Sequence, residues 1–181
     1  MKKYEFTGET KQVGFFGNIT LKRIRATMEF GIIKIGDLGG WIEKEENLSH
    51  KGDAWVYGNA EVYGNAEVWG NAKVYGNAEV WGDAWVYGNA EVYGNAEVYG
   101  DAKVFSISHV LVVGPIGSRN DFTTFFRDKD SEITVKCGCF LGKIDKFLEK
   151  VCETHGDSKY AIVYRTAAEI AKQQIDLSEE N

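Results

Sequence analysis

"GNAEVYGNAEVWGNAKVYGNAEVWG", residues 58–82, repeats one six-residue phrase almost without change. From Gly52 the phrase Gly-Asn/Asp-Ala-x-Val-aromatic occurs nine times and ends at Phe105. Self-similarity at a fixed period has to be read before any helix or strand is assigned. A period of six fits no α-helix, whose turn is about 3.6 residues. It fits short strands, where alternate side chains face one way. Ala and Val stand two apart and share one face, and the fourth and sixth letters share the other. Gly with Asn or Asp supplies the bend between strands, because these residues tolerate positive φ. A plain β-meander would need a hairpin every six residues and gives no reason for such strict repetition.

The pattern resembles the hexapeptide-repeat left-handed β-helix. In that family three hexapeptides make one triangular coil, and coils stack with parallel hydrogen bonding. Nine hexapeptides then make three coils. The left hand is implied by the resemblance alone and departs from the usual right-handed crossover. With eighteen residues per coil, positions n, n+18 and n+36 should stack. The sixth letter then forms three aromatic ladders: Tyr57-Tyr75-Tyr93, Tyr63-Trp81-Tyr99 and Trp69-Tyr87-Phe105. The fourth letter gives Trp55-Lys73-Glu91, Glu61-Glu79-Glu97 and Glu67-Trp85-Lys103. The middle column places like charges one strand spacing apart, about 4.8 Å. That is unfavourable unless cations, solvent or a neighbouring subunit relieve it. The alanine-valine interior is thin, so the aromatic ladders and burial against other chains are expected to add stability. Family members are commonly trimers, and the resemblance implies a homotrimer here.

The composition, 44% hydrophobic and 13% aromatic over 181 residues, fits a packed protein rather than a disordered one. No run approaches the roughly 20 apolar residues of a membrane span. The Met-Lys-Lys start lacks the apolar stretch of a signal peptide. The expectation is a cytoplasmic protein with no membrane partner. Three cysteines, an odd number, argue against a disulfide framework. The net charge of -6 argues against duplex nucleic acid, which needs a basic face. The acidity sits in residues 52–105, with two Lys/Arg against eight Asp/Glu. The flanks are nearly neutral and leave room for local basic sites.

These shifts suggest three parts: a β-rich cap over residues 1–51, the β-helix over 52–105, and a small α+β domain over 106–181. In the first, "ITLKRIRA" reads as strand, although Leu21, Ile24 and Met28 also approach helical spacing. "GDLGGWIEKEENLS" resembles irregular coils leading into the helix, and Trp41 is a candidate to cover its open end, as terminal repeats require. Lys22, Arg23 and Arg25 form a basic cluster that reads either as a solvated strand face or as a binding patch. In the last part, "HVLVV" reads as a buried strand and "GPIGSRND" as a loop. "FTTFFR" and "EITVKCGCF" flank "DKDS" as a hairpin. "KIDKFLEKVCETHG" places Ile144, Phe147, Leu148 and Val151 at helical spacing, with Gly156 as a stop. Asp157 or Ser158 caps a second helix, on which Tyr160, Tyr164, Ala167 and Ala171 share a face. The order expected is β-β-β-α-α.

Chemistry is best placed on "GPIGSRNDFTTFFR". Gly114 and Gly117 allow tight turning and leave N–H groups accessible. Ser118, Asn120, Thr123 and Thr124 add neutral hydrogen-bond groups. Arg119 and Arg127 can clamp a phosphate or carboxylate. Alternation puts Thr123, Phe125 and Arg127 on one face, so Phe125 (or Phe126) would stack a base beside a guanidinium. An ordinary loop with exposed arginines is the other reading, and the spacing is not that of a Walker loop. Cys137, Cys139, Cys152 and His155 could hold zinc, but Ile133, Val135, Cys137 and Cys139 fall on one strand face, and Cys152 sits near Leu148, which reads as core; a reactive thiol is the remaining alternative. His155 either caps its helix through the dipole or touches a ligand. Arg165 would pair with Glu169 one turn on. No cofactor is implied.

Enzymes of the hexapeptide family usually use a histidine on the helix as general base for acyl transfer. None lies within 52–105; His50 precedes the repeats and His109 follows them. The combination "GDLGGWIEKEENLS", "GNAxV" units, "GPIGSRNDFTTFFR", "VKCGCFLGKIDKF" and "THGDSKYAIVY" resembles a phage and prophage family of short hexapeptide proteins with a shared C-terminal domain. That resemblance makes a phage sponge, sequestering a nucleotide signal in the host cytoplasm, conceivable. The reading reached is a non-enzymatic trimeric protein that binds a small anionic ligand through its C-terminal domain. Alternatives are an acyltransferase using His50 or His109, and an interaction module presenting Trp69 and Tyr87 as a sticky face.

Overall fold

The computed structural model describes residues 2–14 and 16–178. Among them, each hexapeptide contributes one two-residue strand. These are β4 (Trp55–Val56), β5 (Glu61–Val62), β6 (Glu67–Val68), β7 (Lys73–Val74), β8 (Glu79–Val80), β9 (Trp85–Val86), β10 (Glu91–Val92), β11 (Glu97–Val98) and β12 (Lys103–Val104). Strands three apart pair in parallel, with Trp55 opposite Lys73, Lys73 opposite Glu91, and Glu61 opposite Glu79. The register is eighteen residues throughout, so the chain is a hexapeptide-repeat β-helix of three regular coils. Every Ala and Val of the repeats is buried along its axis. The glycines that open the hexapeptides lie at positive φ, near +58° to +77°. Only glycine adopts that bend without strain, and at Gly52, Gly70, Gly76 and Gly82 a Cβ would also crowd the backbone of the next coil.

The aromatic ladders form as the spacing dictates. Trp81 stacks on Tyr99 with centroids 3.8 Å apart, and Trp69 on Tyr87 at 4.1 Å. A third kind of ladder, not anticipated from the sequence, runs along the second letter. Asn71 Nδ2 donates to Asn89 Oδ1 at 3.1 Å, and Asn65 Nδ2 to Asp83 Oδ1 at 3.0 Å. The Glu61-Glu79-Glu97 column is relieved from both flanks. Lys11 Nζ lies 2.7 Å from Glu61, and Lys136 Nζ lies 2.8 Å from Glu97. Between them Tyr63 donates its hydroxyl to Glu79 at 3.2 Å.

The first coil exposes a row of carbonyls and the last coil a row of N–H groups, because N–H groups of one coil donate to carbonyls of the next. An unpaired strand edge is costly if buried and hazardous if exposed. The N-terminal residues supply donors. Strands β1 (Tyr4–Val13) and β2 (Ile19–Ala26) form an antiparallel hairpin, and β3 (Leu38–Ile42) continues it. β3 lies parallel on β5, with Trp41 opposite Glu61 and Ile42 opposite Val62. Leu48 bridges Val68 in the same sense. Each of these pairings spans twenty residues rather than eighteen, so this fourth, irregular turn is invisible as a repeat. Asn47 Nδ2 donates to Ala66 O at 2.8 Å, and the buried Lys3 Nζ donates to Ala54 O at 2.7 Å. Burial holds the Lys3 ammonium down at about 8.

Trp41 does not cover the open end. It stands in register with Glu61, on the outer face, with Lys11 Nζ 4.6 Å from its ring centroid. Tyr4, Ile24, Ile42 and Leu48 close the end instead. Trp55, an outward letter, is nevertheless fully buried, because Tyr4 and Phe30 pack edge-on against it. The strand reading of "ITLKRIRA" holds as β2. The basic cluster on it is paired: Arg23 with Glu9, Arg25 with Glu5, and Lys22 over the Phe6 ring.

The opposite end is covered by a four-stranded antiparallel sheet of β13 (Val110–Ile116), β14 (Asp121–Arg127), β15 (Ile133–Cys137) and β16 (Phe140–Lys143). Helices α1 (Ile144–His155) and α2 (Lys159–Gln174) pack on its far side. β16 is one strand more than expected. Gly114, Pro115 and Ile116 continue β13, so the turn is only 117–120. One face of β14 sends Phe126 into the core shared with the coils, and the other sends Phe125 against Phe147. Ser158 caps α2 by accepting from Ala161 N–H, and Gly156, at φ +55°, ends α1. Arg165 pairs not with Glu169 but with Asp157 and the Gly156 carbonyl, since it points back toward the inter-helix turn.

Candidate functional site

The turn 117–120, the β15–β16 turn and helices α1 and α2 enclose a cavity of about 570 Å³. Its walls are Phe140, Phe147 and Val151, and its polar lining is Ser118, Arg119, Cys137, Cys139, Lys150, Thr154, His155 and Tyr164. Gly117 has φ +71°, and a Cβ there would strike the Tyr164 hydroxyl. The glycine therefore does more than turn the chain: it makes room for that phenol. The Tyr164 hydroxyl engages Ser118 and Cys137, and burial, then Cys137, pushes it up. His155 stacks on the Tyr164 ring, 5.7 Å between centroids and 30° between planes.

Arg119 is exposed at the rim, its Nη2 3.7 Å from Cys139 Sγ. Lys150 is the second rim cation and also pairs with Glu153 at 3.2 Å. The site thus combines two cations, a stacked imidazole and phenol, and an apolar floor. Such a set suits a small anion with a flat apolar portion.

Of the predicted residues, Ser118, Arg119 and His155 meet here, with Gly117 shaping the wall. The others do not. Thr123 and Thr124 are buried; Thr123 donates to Cys137 Sγ, and Thr124 Oγ1 accepts Glu97 N–H, sealing the last coil. Phe125 is wholly buried beneath the helices. Arg127 is 3% exposed, bound to the carbonyls of Lys103 and Asp128 and to Ser131, over the Phe105 ring. It is a structural clamp between sheet and coils, out of reach of a ligand. Gly114 serves a close approach of Phe122, and Asn120, at φ +51°, is a turn residue.

The cysteine reading also changes. Cys139 is exposed because the chain reverses at Gly138, and Cys152 is exposed because it falls off the Phe147–Val151 stripe. Neither is core. Among the described residues no three His, Cys, Asp or Glu side chains gather as a metal site. The reversal at Gly138 breaks the strand alternation that placed Cys139 with the core, and Lys150, Thr154 and Tyr164 line the cavity without having been predicted. For Lys150 and Thr154 the signal was present: Phe147, Lys150, Val151, Thr154 and His155 recur at three and four, one face of α1.

His109 and His50 are both engaged through Nδ1. His109 accepts Phe105 N–H at 3.3 Å, and His50 accepts Lys3 N–H at 3.1 Å and stacks on Tyr4. An imidazole that accepts at Nδ1 carries its proton on Nε2 and has no free lone pair to act as base. The sticky-face reading fares unevenly too: Trp69 is partly exposed, but Tyr87 is 3% exposed.

No family model matches the chain. It is similar to the uncharacterized acetyltransferase YdcK of Escherichia coli (strain K12), 32% identical over 62 residues, which is 32% of this chain and 19% of that protein. The match therefore spans less than a fifth of that relative's length. No helix among the described residues is long and apolar enough to cross a membrane.

Proposed function

We propose that the protein is a non-enzymatic, homotrimeric binding protein whose C-terminal cavity takes a small anionic, nucleotide-like molecule. The β-helix serves as its rigid post. The supporting observation is the 570 Å³ cavity with Arg119 and Lys150 on its rim and His155 stacked on Tyr164 beside an apolar floor. In this reading the ligand is held and not converted, as a phage-encoded sponge for a host signal would hold it. Titrating cyclic nucleotides and ADP-ribose derivatives by calorimetry tests it. Arg119→Ala and Lys150→Ala should each weaken binding tenfold or more, about 1.4 kcal/mol. Absence of binding, or binding indifferent to both changes, overturns it.

The similarity to an acetyltransferase favours acyl transfer as a second reading. Its weakness is that both candidate bases are already held by backbone N–H groups. Acetyl-CoA turnover that disappears in His50→Ala or His109→Ala, with folding intact, would reverse the preference.

A further inference from the structure

Cys137 pairs with Phe140 across the β15–β16 turn, which leaves only Gly138 and Cys139 in the turn itself. Gly138 has φ +57°, and a Cβ there would strike the Arg119 guanidinium. The glycine thus lets Arg119 lie against the turn, where its Nη2 reaches Cys139 Sγ. The same guanidinium lies in the field of Cys137 and Tyr164. Cys137 Sγ meanwhile accepts the Thr123 hydroxyl at 3.3 Å. Both thiols line the cavity, and Cys139 is exposed. The hydrogen bond from Arg119, then its charge, pulls the Cys139 thiol below its ordinary range. A thiolate beside a cation is the reactive form of cysteine. Cys152, exposed on α1 outside this cluster, provides an internal comparison.

We propose that Cys139 is a thiol-modification site that reacts with low-molecular-weight disulfides, with Cys137 as its resolving thiol. The proposal shares the cavity of the binding reading but not its ligand. In the first step the Cys139 sulfur attacks one sulfur of RS–SR. The S–S bond breaks, a mixed disulfide forms, and RS⁻ leaves and takes a proton from water. In the second step Cys137 gives up its proton and attacks Cys139 Sγ. The mixed disulfide breaks, a Cys137–Cys139 bond forms, and the second RS⁻ leaves and is protonated. Two thiols are oxidised by two electrons, and one RS–SR is reduced to two RSH. The outcome would strip Arg119 of its sulfur partner and couple the rim of the cavity to the thiol poise.

Oxidised glutathione is the probe, with peptide mapping by mass spectrometry near neutral pH. The wild-type chain should yield the Cys137–Cys139 disulfide. Cys137→Ser should accumulate glutathione at position 139, and Cys139→Ser should leave Cys137 reduced. Arg119→Gln should slow the first step about tenfold and shift the alkylation of Cys139 to higher pH. The proposal is overturned if Cys139 reacts no faster than Cys152, if the rate ignores Arg119→Gln, or if wild type stops at a stable glutathione adduct. Nucleotide titrations on the reduced protein are scored separately, so failure of the binding reading leaves this result independent.

Discussion

The Nδ1 of His109 accepts the backbone N–H of Phe105 at 3.3 Å, on the coil that ends the β-helix. The imidazole does what a further coil's carbonyl would have done. With Thr124 Oγ1 on Glu97 N–H it supplies acceptors at one end, as Lys3 and Asn47 supply donors at the other.

Burial, then the nearby Arg127 charge, holds the His109 imidazole down to about 4. The unfolded chain therefore binds the proton more readily between about 4 and 6.5. Stability at this residue is complete above 6.5 and lost as pH falls toward 4, by about 1–3 kcal/mol. Denaturant titrations across that window should show the loss, and His109→Leu should flatten it while lowering stability at neutral pH by about 1–3 kcal/mol. An unchanged slope in the variant would remove the capping role.

Lys3 is buried with its ammonium on the Ala54 and Gly52 carbonyls. Lys3→Met keeps the stem and deletes the donors, leaving carbonyls unmatched at a cost of about 1–3 kcal/mol. Hydrogen exchange should rise first in the coil of residues 52–69. Uniform destabilisation with no such bias would argue that Lys3 acts only through packing.

Glu79 is the middle of the acidic column. Burial, then Glu61 and Glu97, raises its carboxyl above the ordinary value. The folded state thus holds the proton more tightly, so ionised Glu79 opposes folding at neutral pH, and the penalty fades as pH falls through its folded value. Glu79→Gln keeps an acceptor for Tyr63 and removes the charge. It should stabilise by about 0.2–1 kcal/mol near neutrality and by nothing in acid. A destabilised variant at neutral pH would show that the flanking lysines, not the repulsion, dominate.

Gly117 and Gly36 both sit at positive φ, +71° and +92°, but only Gly117 faces an atom that a methyl would displace. Gly36→Ala should cost about 1 kcal/mol in strain alone. Gly117→Ala should cost more and displace Tyr164, quenching whatever ligand binding the cavity supports. Equal costs in the two variants would mean that the loop shifts and the phenol stays.

The repeated hexapeptide by itself determined the short strands and their two faces, and the resemblance to hexapeptide β-helices, with three hexapeptides to a coil, supplied the register. Once a coil is eighteen residues, each of the three aromatic ladders is arithmetic. The non-repeating sequence after Phe105 also singled out Ser118, Arg119 and His155. It could not assign Arg127, Thr123, Thr124 and Phe125, because a polar residue beside glycines looks the same whether it serves a ligand or an orphaned backbone group. Tertiary structure made that choice. The ends of a β-helix must be satisfied by non-repeating chain, and so the sheet laid Thr124 and Arg127, and the turn before it His109, on the last coil. The cavity was left to whichever residues of the two turns and two helices faced each other once that end was sealed. Those residues are distant in sequence, and packing alone brings them together.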